Sequence, residues 1–306
     1  MSNIPLTHLY NLTLHSDKVI PMILREFADN NAAFIALPDS VLKRMMTDPQ
    51  FALSLEGWFG DFPVEILECH GLWHNGYDLN FSNFPRRNGM IADHKLAMDY
   101  AAMFGCRTYT VHVGAYDCYV PKRNKTIEQM RQLAVETLEE LIPHAEKRGI
   151  IIAVENGTEP TNTPDELVYY MDCFKHPNLG CCLDVGHMNC MAKKQNSAPS
   201  KYDGAMHRCW NHNIVEQEHC FDKLAPHIVT CHIHDNDGYH DDHDLPGNGT
   251  IDWQTLIPRI KKECPRLISL QSEVAPSRTS IRRLCETFDR IKQLKIKQKV
   301  FACPSI

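Results

Sequence analysis

Residues 149–187 read GIIIAVENGTEPTNTPDELVYYMDCFKHPNLGCCLDVGH, and the pattern of this stretch decides the fold class. Its two ends, 149–155 and 179–184, are short apolar runs of the kind that form buried parallel strands. The helical pattern of residues 163–174 lies between them and opens on Asn-Thr-Pro-Asp (162–165), a good helix start. The stretch therefore predicts a strand, a helix and a second parallel strand.

The same alternation continues along the whole chain. Helical patterns occur at 91–105, 126–148 and 277–293. Eight strands in 306 residues give about 38 residues for each strand-helix unit, which favours the α/β class and a single (β/α)8 TIM barrel. A doubly wound open sheet is the alternative, but its glycine-rich GxGxxG turn is missing. The six further strands are predicted at 7–13, 32–37, 64–69, 107–113, 227–234 and 267–273.

No linker or repeat divides the chain, so residues 1–306 are predicted to form one domain. Residues 188–222 are too long for an ordinary loop after a strand. We expect this insertion to lie over the active face as a lid or partner contact, with helix from about residue 213. Residues 294–306 follow the last helix as a short C-terminal tail.

Composition narrows the class of protein. The net charge of −6 argues against a nucleic-acid-binding face over the whole domain. There is no run of about 18 apolar residues that would span a membrane, and the first residues lack a signal-peptide pattern. The 13 cysteines contain no CxxC pair and are expected to be reduced. We therefore expect a cytoplasmic protein.

Six consecutive predicted strands end on a histidine or a carboxylate. The C-terminal ends of barrel strands meet at the face that carries active sites. Carboxylates gathered there would repel one another, and a divalent cation relieves that repulsion. The pattern therefore predicts a metal site. From the third strand to the eighth, the residues are His70, His112, Glu155, Asp184 followed by His187, His232 with His234, and Glu273.

The seventh strand contributes two histidines, His232 and His234, which are two residues apart and face the same side. The loop after this strand contains the acidic run 240–244 (HDDHD). Asp241 and His243 either fold back onto the active face as extra ligands or belong to a solvated loop, and the spacing alone does not decide between these possibilities.

Five pieces of sequence together carry a family resemblance. In this order and spacing, the chain resembles the xylose isomerase-like barrel superfamily over about residues 64–275. That superfamily contains sugar and sugar-phosphate isomerases and epimerases, and also endonuclease IV. The five pieces are 153–156 (AVEN), 182–187 (CLDVGH), 232–238 (HIHDNDG), 245–253 (LPGNGTIDW) and 272–273 (SE).

The resemblance implies a single divalent metal, which would be manganese, magnesium, cobalt or zinc. Its ligands by matching position are Glu155, Asp184, one histidine of the seventh strand and Glu273. The alignment favours His232, and His234 stays open as the alternative.

The resemblance also implies a small carbohydrate substrate, with His187 binding one of its oxygens. Asn156 is a further candidate for substrate binding. Trp73, in the stretch 72–78 (LWHNGYD), either stacks on a sugar ring or packs the loop down. Nothing in the sequence distinguishes a sugar from a sugar phosphate.

The implied chemistry is proton abstraction next to a carbonyl. A metal that chelates the ketone oxygen and its neighbouring hydroxyl stabilises the resulting enediolate. Glu155 and Glu273 would act as the acid–base pair on opposite faces of the substrate, giving epimerisation. Proton return to the neighbouring carbon would give isomerisation.

Endonuclease IV provides the rival interpretation, a phosphodiesterase for abasic DNA with two or three zinc ions. Its additional ligands would fall on His70, His112, His187, Asp241 and His243. Against it, the chain has no basic, aromatic-interleaved loop for DNA, and the basic stretches 86–87 and 122–125 are more simply solvated. Nucleic acid is therefore not expected as a partner.

Two other readings stay open. The fold also resembles the large subunit of enzymes that cleave carbon glycosides through a 3-keto sugar, in which His112 would be the base. Such an enzyme needs a small partner subunit, whereas the isomerase interpretation allows a homo-oligomer. A binding module without catalysis would use the same barrel but would not need the carboxylates.

Overall fold

The computed structural model describes residues 4–74, 76–114 and 125–295. Eight parallel strands form a closed barrel in chain order, and the last strand pairs with the first. The predicted (β/α)8 TIM barrel is therefore confirmed. The strands are β1 (Leu6–Leu9), β2 (Phe34–Leu37), β3 (Glu65–His70), β4 (Thr108–Val111), β5 (Ile151–Glu155), β6 (Leu179–Asp184), β7 (Ile228–Ile233) and β8 (Ser269–Ser272).

Helices surround the barrel and bury their apolar faces against it in one large core. No helix among the described residues is long and apolar enough to span a bilayer. The α-helices of the described ranges are α1 (Ile20–Asp29), α2 (Asp39–Thr47), α3 (Pro49–Gly60), α4 (Phe84–Met103), α5 (Ile127–Arg148), α6 (Pro164–Phe174), α7 (Val185–Met191), α8 (Gly204–Cys209), α9 (Cys220–Leu224), α10 (Trp253–Glu263) and α11 (Ile281–Lys292).

Local signals in the sequence explain where the predicted helices begin and end. Thr126 and Gln129 form a capping box at the start of α5, and Gly149 ends that helix with a left-handed φ of 69°. At α6, the Thr163 hydroxyl accepts a hydrogen bond from the Glu166 backbone. These caps place the intervening strand, β5, at its position in the barrel.

Strand register sets the height of the residues that end the strands. Asp184 on β6 lies directly opposite His232 on β7, and Glu155 on β5 lies opposite Cys182. The Glu273 backbone donates a hydrogen bond to the carbonyl of Ile233. The register therefore brings the polar strand ends to one layer at the C-terminal face of the barrel.

Several predicted boundaries are wrong. The helix predicted at 91–105 begins earlier, at Phe84, where Pro85 favours the start of a helix. The helix predicted at 277–293 begins at Ile281, where the Ser280 side chain caps it.

The first strand ends at Leu9, not at residue 13, because the Asn11 side chain accepts bonds from the backbone and hydroxyl of Thr13 and starts a short 3-10 turn. In the insertion, residues 213–219 are not helical. Instead Ala192 and Gln217 pair as a short bridge, which uses backbone groups that a helix would need.

The insertion is anchored to the loop that follows β5. The indole nitrogen of Trp210 donates a hydrogen bond to the carbonyl of Thr158, with a length of 2.8 Å. Of the predicted C-terminal tail, only residues 294 and 295 lie within the described ranges. All of the described cysteines except Cys173 are buried.

Candidate active site

The predicted site residues converge on one cavity at the C-terminal face of the barrel, with a volume of about 260 Å³. For the residues at the strand ends this convergence follows from the barrel, whereas Asp241 and His243 reach the cavity from the loop after β7. The residues that line the cavity are His70, Trp73, His112, Glu155, Asn156, Gly157, Thr158, Glu159, Asn162, His187, Asp241, His243 and Glu273.

A central group of four side chains offers ligand atoms within 4.8 Å of one another: Glu155, Asp184, His232 and Glu273. The Nδ1 atom of His232 lies 2.7 Å from Glu273 Oε2, 3.3 Å from Glu155 Oε2 and 3.9 Å from Asp184 Oδ2. This is the carboxylate-rich arrangement that holds a divalent cation in proteins.

Unsatisfied polar atoms in the central group support this interpretation. Both ring nitrogens of His232 and the Oε2 atom of Glu273 are buried without a hydrogen-bond partner among the described residues. Their 2.7 Å contact is close but lacks the alignment of a hydrogen bond. A buried polar atom without a partner costs about 1–3 kcal/mol. A divalent cation would satisfy these atoms, so the donor set fits a metal.

The charges of the central group compensate one another in the chain as it stands. Burial opposes the protonation of His232, yet its acidic neighbours, Cys182 and Glu273 first, raise the pKa of the imidazole well above its usual value. Burial also opposes the ionisation of Glu155, but His232 and His112 hold the pKa of its carboxyl well below the usual range. Against the same effect of burial, His232 lowers the pKa of the Glu273 carboxyl to about 2.

A second group consists of His70, His112 and Glu155, so it shares a carboxylate with the central group. His112 Nε2 lies 3.1 Å from Glu155 Oε2, and His70 Nε2 lies 3.8 Å from the same atom. Burial lowers the pKa of His70. Burial also opposes protonation of His112, but the charge of Glu155 outweighs it and raises the pKa of that imidazole.

A third group consists of His234, Asp241 and His243. The rings of His234 and His243 stack with centroids 4.0 Å apart, and Asp241 Oδ2 lies 3.1 Å from His243 Nε2. Burial opposes protonation of His243, but the hydrogen bond with Asp241 raises its pKa to about 10. The loop therefore folds back onto the active face, which was one of the two possibilities for residues 240–244.

The geometry separates the two histidines of the seventh strand. His232 belongs to the central group, whereas His234 joins the third group and approaches the Asp184 carboxylate at 3.0 Å. Gly186 makes room for His234, because a Cβ atom at this position would lie 2.0 Å from its ring. The glycine of the CLDVGH piece is thus explained by the histidine that packs on it.

His187 lies where the three groups meet. Its Nδ1 atom is 3.4 Å from Glu155 Oε1, and its Nε2 atom is 3.2 Å from Asp241 Oδ2. Asn156 lines the cavity, but its amide accepts a bond from the Asp184 backbone nitrogen and donates one to the Asp184 carbonyl. The side chain of Asn156 therefore holds Asp184, while the Asn156 backbone carbonyl lies 2.9 Å from His187 Nδ1.

Trp73 lies at the mouth of the cavity and is 39% exposed. Its ring centroid is 5.2 Å from that of His112 and 5.8 Å from that of His70. The position leaves part of the indole free to contact a ligand above the histidines.

Five residues near the site were not among the predicted ones: Cys182, Gly157, Thr158, Glu159 and Asn162. Cys182 offers its sulfur to Glu155 and His232 within 4.8 Å, and the period-two rule would have indicated it, since it lies two residues before Asp184. Glu159 and Asn162 line the cavity from the loop after β5. No sequence motif indicates them, because the alternation of side chains along a strand does not predict the direction of the loop that follows it.

Comparison with known proteins now identifies the family. Residues 37–298 match the model for the Xylose isomerase-like TIM barrel family. The chain belongs to this family. The resemblance noted from the five sequence pieces is thereby confirmed.

Solved structures with the same family fold superpose on most of the chain. A 3-keto-D-glucoside 4-epimerase from E. coli is 11% identical, with a TM-score of 0.68 over 94% of this chain and 99% of that one. A D-tagatose 3-epimerase-like protein is 20% identical, with a TM-score of 0.66 over 94% and 98%. The IOLI protein with a bound zinc atom is 19% identical, with a TM-score of 0.64 over 94% and 96%. At these identities the likeness shows the fold.

Two curated relatives in the family are themselves uncharacterized proteins. One, from Methanocaldococcus jannaschii, is 25% identical over 54% of this chain and 50% of its own length. The other, from Sinorhizobium fredii, is 26% identical over 60% of this chain and 51% of its own length. The aligned region thus spans about half the length of each relative.

Binding of a divalent cation should release protons. The raised pKa of His232 means that its imidazole is protonated at pH 7 in the metal-free chain, whereas a metal ligand must be neutral. The affinity for Mn²⁺ should therefore rise with pH, with release of about one proton or more per ion. Isothermal titration in Tris and in Pipes, which differ in ionisation enthalpy, measures this release. Equal heats in both buffers and a pH-independent affinity would contradict the charge assignment.

Proposed function

We propose that this protein is a divalent-metal-dependent sugar (or sugar-phosphate) isomerase or epimerase. The observation that carries the proposal is the central group, in which two glutamates from different strands flank one buried histidine. The structural neighbours described as a 3-keto-D-glucoside 4-epimerase and a D-tagatose 3-epimerase-like protein support the same class of reaction.

Glu155, Asp184, His232 and Glu273 would hold the cation, because they combine carboxylate oxygens with imidazole nitrogens that lack partners. Bound there, a divalent cation supplies Lewis-acid stabilisation for negative charge that develops on a ketone oxygen and its neighbouring hydroxyl.

The two glutamates are suited to move protons. Glu155 ends β5 and Glu273 follows β8, so the two carboxylates come from strands that are not neighbours in the barrel, and both lie close to His232 Nδ1. One carboxylate takes the proton from the carbon next to the carbonyl while the C–H electron pair moves toward the carbonyl oxygen. The other returns a proton to the opposite face, which inverts that carbon.

The walls of the cavity suit a polyhydroxy compound. His187 and Glu159 present polar atoms, and Trp73 presents an apolar face of the kind that stacks on sugar rings. None of the described residues that line the cavity is Lys or Arg. Unphosphorylated ketoses are therefore the first substrates to test, with ketose phosphates beside them.

Uptake of deuterium from heavy water into a ketose tests the proposed reaction. The manganese-loaded protein should exchange the hydrogen next to the carbonyl and form the epimer. Glu155→Gln and Glu273→Gln should each lower the rate of epimerisation by about 10²- to 10⁴-fold at saturating metal, because each removes one acid–base group. In an epimerase, each variant should still exchange one of the two epimers, and the two variants should spare opposite ones.

Glu286→Gln on the surface of α11 is the matched control and should retain the full rate, since its carboxylate is exposed and contacts Arg282. Failure of the metal-loaded protein to exchange hydrogen with any ketose or ketose phosphate would contradict the proposed reaction. Wild-type rates in both glutamine variants would contradict the proposed roles.

A second candidate is a multi-zinc phosphodiesterase that acts on abasic DNA. The specific observation in its favour is that the second and third groups add His70, His112, Asp241 and His243 to the central group as sets of mutually close ligand atoms. Multi-metal sites of this kind stabilise the attacking and leaving oxygens of phosphate esters.

The number of metal ions separates the two candidates. Mass spectrometry of protein purified without added metal or chelator should find about one manganese, magnesium, cobalt or zinc ion per chain for an isomerase or epimerase. Two or three zinc ions per chain, together with cleavage of a duplex that contains an abasic site, would overturn that assignment in favour of the phosphodiesterase.

A further inference from the structure

The loop that connects β7 to α10, residues 235–253, contains most of two sequence pieces that the metal ligands do not explain. Its first residue, Asp235, is fully buried. Asp235 Oδ1 accepts hydrogen bonds from the backbone nitrogens of Asn236 at 3.0 Å and Ile251 at 3.3 Å. Its Oδ2 accepts from the Gly247 backbone nitrogen and the Trp253 indole nitrogen, both at 2.8 Å. Four donors therefore solvate one buried carboxylate.

Among the described residues, only neutral N–H donors bond to the Asp235 carboxylate. Within the described residues Asp235 has no Lys, Arg or His ion-pair partner. A buried carboxylate is costly unless hydrogen bonds replace its lost water. Three of its four donors come from residues 247–253, at the far end of the loop, so the carboxylate joins the two ends.

The backbone closes at the same place. The Asp235 nitrogen donates to the Asp244 carbonyl at 2.8 Å, and the Asp244 nitrogen donates back at 2.9 Å. Gly249 packs on the Asn236 carbonyl and on the Asp235 carboxylate, since a Cβ there would lie 2.2 Å from Asn236 O and 2.3 Å from Asp235 Oδ1. Gly247 has a φ of +99°, which favours glycine. Residues 236–243 therefore leave the end of β7 and return to it, because the pairing of Asp235 with Asp244 joins the two ends of this segment.

Asp241 and His243 lie within this segment, residues 236–243. His243 has a left-handed φ of +49°, uncommon for a residue other than glycine. Its carbonyl accepts a bond from the Ala275 backbone nitrogen at 3.0 Å, and its Nδ1 lies 2.8 Å from the Glu273 carbonyl. His243 is therefore held between the end of β8 on one side and the Asp235–Asp244 pairing on the other.

We propose that Asp235 is a positioning residue whose buried carboxylate closes the 235–253 loop and thereby sets Asp241 and His243 beside the central group. The inference rests on the metal centre of the proposed function, but not on which reaction the centre performs. It explains the HDNDG and LPGNGTIDW pieces, because their residues close the loop and hold it beside the central group.

Asp235→Asn tests the proposal because it keeps the shape of the side chain, removes the charge and points an amide toward N–H donors. Asp237→Asn is the matched control. The Asp237 carboxylate lies in the same loop and accepts bonds from the Tyr239 and His240 backbones, but its side chain is 52% exposed. Gly249→Ala is an independent second variant, which crowds both the Asn236 carbonyl and the Asp235 carboxylate without removing the charge.

Hydrogen exchange of the metal-free protein, followed by mass spectrometry, measures closure of the loop. Peptides from residues 236–252 should exchange roughly tenfold faster or more in Asp235→Asn and Gly249→Ala, as expected for lost bonds to a charged group. Peptides from β7 should keep their rates, and Asp237→Asn should resemble the wild type. Unchanged loop exchange, or equal acceleration throughout the barrel, would overturn the proposal.

Cobalt spectroscopy tests whether closure of the loop by Asp235 sets Asp241 and His243 beside the central group. The visible spectrum of Co²⁺-loaded Asp235→Asn should match that of His243→Ala, while Asp237→Asn matches the wild type. A purely structural role would lower thermal stability and leave the spectrum of the folded protein unchanged, which would contradict positioning. If no variant or wild type binds Co²⁺, the metal centre fails, whereas hydrogen exchange still decides the closure by Asp235.

Discussion

Three carboxylates confined to one small volume are the constraint on which the rest of the site depends. Glu155, Asp184 and Glu273 offer oxygens within 4.8 Å of one another and of a His232 nitrogen. Like charges this close in a buried place are unstable unless positive charge lies among them. The raised pKa of His232 favours a protonated imidazole there in the metal-free chain, and a divalent cation would supply more positive charge at a single point.

The barrel makes this crowding possible because its register fixes the heights of the strand ends. Asp184 lies opposite His232 across a ladder of parallel hydrogen bonds, and the amide oxygen and nitrogen of the Asn156 side chain both bond to the Asp184 backbone. The rigid strands supply the central group, whereas a loop supplies Asp241 and His243.

The central group could be predicted from the sequence because each member lies at or next to the end of an apolar strand, and strand ends meet in a barrel. The position of His243 could not, since its left-handed backbone and its contact with the Glu273 carbonyl depend on how the loop closes. The end of β1 was missed for a similar reason: the Asn11 side chain competes with the strand ladder for the backbone of Thr13. Side-chain bonds to the backbone decide both places, and hydrophobic periodicity does not report them.

Anomalous diffraction from a crystal soaked in Mn²⁺ tests the central claim most directly. The Mn²⁺ peak should lie within about 2.0–2.6 Å of carboxylate oxygens of Glu155, Asp184 and Glu273 and of a ring nitrogen of His232. A structure in which the ion lies elsewhere, with these carboxylates still paired to protonated histidines, would contradict it.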